Sequence, residues 1–299
     1  MKFSHENPND LHELRTYLYD SFGWRYRGKS LPPPGLHLLA ATNMIYSASQ
    51  LWRCDGHLSG EGFRGIHFDV HEVFAKEKET VLNETPEQRV PNFRGLLIAL
   101  RHRTSFLSRT IVKHDLGILN PKTIDGMKRV GLVSSEFENR FEVYSDDQVE
   151  SRALLTPDFM ERLLRMDTHS RYAGMQLGFI AGRVYLALPV GDIIRFGSDA
   201  TCISPEQASA KTIGEMETIF EVLCDVDCLQ ASAGREGEEE VIQQERRAWY
   251  EERVSKVEAH VKSALEKGVL AGEPIPKWMT ADAYDLIDPR LHGMLRPRF

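Results

Sequence analysis

Apolar residues recur along this chain at two periods, and the switches between them mark out its elements. Leu11, Leu14, Leu18 and Phe22 fall near helical spacing behind a capping Asp10, with Gly23 as a stop, so a helix is predicted over Asp10–Phe22. Pro32, Pro33 and Pro34 stiffen the next stretch, and a second helix is predicted from Leu36 to about Trp52. From Phe63 the period changes to two. Ile66, Phe68 and Val70 alternate with His67, Asp69 and His71, the pattern of a half-buried strand. The polar run Glu77–Pro91 reads as an exposed loop, and Phe93–Leu100, apolar on both faces, as a central strand covered on both sides. Phe106–Lys113 is expected to return antiparallel to that strand.

The stretch from Gly131 to Phe196 is the most densely punctuated. Met127–Val133 reads as a strand, and Ser135 with Glu138 as a capping box opening a short helical turn. Arg140–Tyr144 alternates as a strand, and Ser145 with Gln148 opens a helix to about Leu155. Thr156-Pro157 starts another helix, with threonine at the cap and proline where its missing N–H costs nothing; Phe159, Met160, Leu163 and Leu164 form its apolar face. Ala181-Gly182 joins Met175–Ile180 to Arg183–Leu188 as a hairpin. Ser204-Pro205 opens a helix carrying Ile213, Met216, Phe220 and Leu223 on one stripe. A long charged helix is predicted over Glu238–Lys267, with Tyr250, Val254, Val257, Val261 and Leu265 as its stripe.

These elements define an α+β fold: a mostly antiparallel, curved sheet packed by helices, with a long charged C-terminal helix. Three parts are expected: an N-terminal helical segment over 1–52, a main α+β domain over 53–230, and a helical appendage and tail over 231–299, the small and acidic run from Ala231 to Glu240 serving as linker. The C-terminal helix could pair with a second copy or a partner helix through residues 238–267, as a coiled coil does, or pack back onto its own domain.

Charge narrows the partners. A formal net charge of -7 lacks the broad basic footprint of a nucleic-acid binder. No apolar run approaches the length of a transmembrane helix, and the N-terminus lacks the apolar core of a signal peptide. Cys54, Cys202, Cys224 and Cys228 form no CxxC pair and read as buried thiols in a reducing compartment, so a cytoplasmic location is expected.

One cluster has the residue types of a metal site. His67, Asp69 and His71 project from one face of a strand, and two imidazoles with a carboxylate can hold a divalent ion; the same polarity also suits a solvated strand face. A second, basic stretch offers Arg101, Arg103 and Arg109 as an anion site, or else as a charged hairpin end that blocks edge-to-edge pairing. Asp146 and Asp147 suit a helix N-terminus better than paired acid catalysis. No phosphate loop is present: Gly60, Gly62 and Gly65 lack its lysine, so no cofactor is expected.

Residues Phe137, Phe141, Val143, Tyr144, Asp147, Gln148, Val149, Glu150, Arg152, Leu154–Pro157 and Phe159–Leu163 form a string that resembles a bacterial family known only as domain of unknown function 3137. Phe93–Gly95 and Phe68–Val73 look like that family's two earlier sheet segments, whereas Asp55-Gly56-His57 departs from the Gly-Glu-Asp the resemblance implies there. The resemblance transfers no activity, cofactor or catalytic residue. It implies membrane-anchored relatives, although this chain shows no such segment. The leading expectation is therefore a non-enzymatic binding or scaffold module, peripheral to a membrane or self-associating. The alternative is a metal-dependent hydrolase centred on His67, Asp69 and His71.

Overall fold

Ten strands form one open sheet in the order β1-β2-β3-β4-β10-β9-β5-β8-β7-β6 in the computed structural model, and every neighbouring pair is antiparallel. The structure describes residues 8–28, 50–77, 93–102, 105–115, 117, 120–189, 205–229 and 238–266. The strands are β1 Trp24–Arg27, β2 Gln50–Glu61, β3 His67–Glu77, β4 Phe93–Arg101, β5 Thr110–His114, β6 Thr123–Ile124, β7 Met127–Arg129, β8 Phe141–Ser145, β9 Gln176–Ile180 and β10 Arg183–Leu188. The helices are α1 Pro8–Phe22, α2 Ser135–Glu138, α3 Gln148–Leu154, α4 Pro157–Asp167, α5 Pro205–Leu229 and α6 Glu238–Glu266. The α+β class with an antiparallel, curved and unclosed sheet is as the sequence implies.

Local chemistry sets the boundaries. Thr156 caps α4 by accepting from the Phe159 N–H, with Pro157 at its first position. The expected capping boxes are shifted: Ser134, one residue early, caps α2, and Asp147 caps α3 by accepting from the Val149 and Glu150 N–H groups. Ala181 and Gly182, at φ 51 and 74, make the hairpin turn whose twist suits β9 and β10.

Two expectations are corrected. The predicted helix from Leu36 to Trp52 ends in strand, because Gln50–Trp52 open β2; the rest of it lies outside the described residues. Nor does the segment after β4 fold back on it. β5 pairs with β8 and β9, and the place beside β4 is taken by β10, from Arg183 opposite Arg101 to Leu188 opposite Leu96. The β9–β10 hairpin, with its turn already specified locally, inserts between the two segments. The predicted Glu77–Pro91 loop lies almost wholly outside the described residues.

Helices cover one face. Leu18 and Phe22 of α1, Phe137 of α2, Phe159 and Leu163 of α4, Met216 and Val226 of α5 and Val257 of α6 join Leu58, Phe68, Val70, Ile98 and Leu186 from the strands in one buried cluster. Aromatic packing joins α1, α5 and α6, with Phe22 and Phe220 both against Trp249 and Tyr250. The apolar residues of α6 at 249, 250, 254 and 257 are thus used within the chain. The opposite face holds a second cluster, including Cys54, Val73, Leu97, Ala99, Ile111, Tyr144, Tyr185 and Ala187. With both faces buried, β4 is the doubly covered strand its composition predicts.

The parity of β2 changes along its length. Cys54 pairs with Val73, but the next pairs are Gly56 with Glu72 and His57 with His71, so one residue is inserted at Asp55 as a β-bulge. In a regular strand Cys54 and Leu58 would share a face. Here Cys54 lies in the second cluster and Leu58 in the first. The bulge turns His57 onto the face of Cys54.

At Gly95 the sheet requires the missing side chain, because a Cβ there would lie 1.8 Å from the carbonyl oxygen of Leu188. That oxygen belongs to the neighbouring strand and cannot withdraw without disturbing the ladder. Gly95→Ala is expected to destabilise the fold by about 3 kcal/mol, the upper end of ordinary overpacking. Gly214→Ala, inside α5 with nothing within 4 Å of a new Cβ, is the control. It should stabilise by about 0.5–1 kcal/mol. Urea denaturation of both variants tests the pair of signs.

Candidate metal centre on the second face

The donor atoms of His57, Asp69 and His71 all lie within 4.8 Å of one another. The sheet positions each of them. His57 and His71 sit directly opposite on β2 and β3, and their rings stack with centroids 4.2 Å apart and planes 5° from parallel. Asp69, two residues from His71, projects from the same face of β3. Its Oδ1 lies 3.1 Å from His57 Nε2, and its Oδ2 accepts from Arg183 Nη1 at 3.2 Å. Arg183 opens β10, two strands away. Ala99 is opposite both Asp69 on β3 and Tyr185 on β10, so a small side chain occupies the strand that Arg183 must cross.

Burial decides the charge states. His71 is 5% exposed, and burial, then the neighbouring His57, push its imidazole down to about 3 despite the opposing pull of Asp69. At neutral pH it is uncharged. Its Nδ1 is buried with no hydrogen-bond partner among the described residues. Burial works to raise the Asp69 carboxyl, but the hydrogen bond and charge of His57, followed by Arg183 and His71, outweigh it and hold the group below the ordinary carboxylate range. The result is an ionised carboxylate beside a neutral imidazole with an unused ring nitrogen, both ready to ligate a metal.

The histidines read from sequence are thus divided. Asp69 and His71 come together, whereas His67, at the end of β3, is exposed and lies 3.5 Å from Glu61. The third member is His57, from a segment in which no strand was predicted. The stretch Trp52–Gly60 contains two glycines and a bulge, so neither period is visible across it.

The basic stretch is divided too. Arg109 donates to Asp146 at 2.9 Å and Asp125 at 2.5 Å, tying β5 to the β6–β7 turn. Arg101 is exposed at the end of β4, directly opposite Arg183. Arg103 lies outside the described residues. Asp146 and Asp147 serve as ion-pair partner and helix cap. Asp167 is buried between Arg140 and His114, and Tyr172 donates to Asp225. Among the described residues Cys54, Cys224 and Cys228 form no disulfide, and Cys228 accepts from Arg246.

The fold and this cluster define an α+β domain on an open antiparallel sheet, with candidate metal ligands on its second face. Residues 91–227 match the model of the family described as "Protein of unknown function (DUF3137)", the family that the string between Phe137 and Leu163 resembles. No curated protein matches the chain. Among solved structures, the mycobacterial trehalose monomycolate transport factor A, TtfA, is similar at 12% identity and a TM-score of 0.35, over 75% of this chain and 98% of that one. His57, Asp69 and His71 all precede the matched residues.

Burying an imidazole whose Nδ1 has no partner costs stability, typically about 1–3 kcal/mol. His71→Phe keeps a flat ring against His57 and removes the polar atom. It is expected to raise the unfolding free energy by about 1 kcal/mol at neutral pH. Acid adds a second signature. The unfolded chain protonates this imidazole near pH 6.5, whereas the folded chain does so only near pH 3, so stability falls as pH drops through that window. Chemical denaturation between pH 7 and 4 should show a shallower loss in His71→Phe; equal slopes would mean that His71 is not buried as a neutral ring.

Proposed function

We propose that the protein is a non-enzymatic binding module that takes up one divalent transition-metal ion through His57, Asp69 and His71. The observation that carries this reading is the convergence of the three donor atoms within 4.8 Å on adjacent strands. The unpartnered Nδ1 of His71 supports it, since such a buried polar group is otherwise a pure cost. Two imidazoles with one carboxylate suit zinc, nickel or copper and are poor hosts for magnesium or calcium, which take mostly oxygen ligands. Uptake exchanges the His57–Asp69 hydrogen bond for metal bonds and requires the parallel rings to turn toward a common point.

A binding role fits the surroundings better than hydrolysis. Hydrolytic metal sites need a base to take a proton from metal-bound water. Among the described residues the further side chain hydrogen-bonded to Asp69 is Arg183, which donates and cannot accept. Among the described residues no helix is long and apolar enough to cross a membrane.

Purified protein titrated with zinc chloride, with bound metal counted by elemental analysis after desalting, tests the reading. One zinc per chain is expected. His57→Ala and His71→Phe should each weaken binding by at least about 100-fold, and Asp69→Asn by about 10-fold. His67→Ala should bind as the parent does. Loss of zinc on His67→Ala with retention on His57→Ala would exclude this centre.

A further inference from the structure

Arg101 and Arg183 are directly opposite on adjacent strands and share the face of Asp69. Like charges so placed repel, and neighbouring strands bring such Cβ atoms to about 5 Å. Of the two guanidiniums, it is that of Arg183 that pairs with Asp69. Among the described residues no carboxylate pairs with Arg101, which is exposed at the strand end. The register also places Arg101 two residues along β4 from Ala99, the residue opposite Asp69. The guanidinium pair therefore borders the metal-ligand cluster.

We infer that the Arg101–Arg183 pair, together with the ion at His57, Asp69 and His71, forms a site for a phosphate-group ligand. The inference rests on the metal reading above and names what that centre would hold. Three protein donors leave coordination positions open for an outside oxygen ligand. A divalent ion and two guanidiniums against one carboxylate leave an excess of about three positive charges, which favours a dianion over a monocarboxylate. Guanidinium forks also match phosphate oxygens, whereas a lysine at either position would offer only a point charge. Both inorganic phosphate and a phosphate monoester supply this chemistry. Arg101 is exposed, so an ester's organic part would extend toward solvent from it.

The test uses full-length protein loaded with one zinc and freed of excess metal. It is titrated by calorimetry with inorganic phosphate, with glycerol phosphate and with acetate. Phosphate and glycerol phosphate are expected to bind at least about 10-fold more tightly than acetate. Arg101→Gln should weaken both about 10-fold while retaining the zinc, because Arg101 touches none of the metal ligands. Arg109→Gln, whose guanidinium is already held by Asp125 and Asp146, should leave phosphate binding unchanged. Tighter binding of inorganic phosphate than of the ester assigns the free anion; the reverse assigns a monoester. Stoichiometric zinc with no phosphate affinity, or phosphate affinity indifferent to Arg101, would overturn this inference and leave the metal centre standing. Failure to take up zinc would overturn the metal centre itself.

Discussion

A single inserted residue in β2 decides which side chains meet on each face of the sheet. The side chains of a strand alternate strictly, so an extra residue exchanges the faces of everything beyond it. At Asp55 that exchange sends Leu58 into the helix-covered core and His57 to the opposite face, over His71. Without it, the His57 imidazole would face the apolar layer formed with α1, α4 and α5, where its polar nitrogens would be stranded. The bulge thus lets one strand supply apolar packing on one side and a candidate metal-ligating imidazole on the other. Trp24 of β1 closes over Gly60, where a Cβ would meet its ring at 2.8 Å, and so holds the far end of β2 in that register.

How much of this was legible in the sequence follows from the range of each signal. Thr156-Pro157 and Ala181-Gly182 act within a few residues, and both appear where composition places them. The caps of α2 and α3 were misread by a residue or two, because Ser134, Ser135, Ser145 and Asp147 are all competent acceptors and only backbone geometry chooses among them. The alternation of Phe68 and Val70 against Asp69 and His71 identified β3 and its faces. What alternation cannot reveal is a residue contributed by another strand. His57 is brought to His71 by pairing register and a bulge, neither of which leaves a local mark. The same holds for Arg183, whose approach to Asp69 depends on β10 settling beside β4.

The two ends of the basic stretch show why residue type alone does not define a site. Arg109 lies between Asp146 and Asp125, so its charge is spent on holding the β6–β7 turn against β5. Arg101 is set by register opposite another arginine. Sequence weighs the two alike, but the fold gives one a structural partner and the other a neighbour of its own sign.

The division of the sheet into two faces explains why a site can exist in so heavily buried a structure. Helices α1, α2, α4, α5 and α6 pack against one face, where most side chains are aliphatic or aromatic and any change in volume disturbs several layers at once. On the second face the row through Asp69, Ala99 and Tyr185 alternates small and polar with large, and Arg183 reaches across the small member. Arg183, Asp69 and His57 therefore form a polar chain running over three elements, β10, β3 and β2, while the backbone beneath them is fixed by continuous ladders. Groups held on such a frame do not need to be ordered when a ligand arrives, which lowers the entropic cost of binding. A neutral imidazole with an unused nitrogen, placed at the end of that chain, is a poor choice for stability and a good one for ligation.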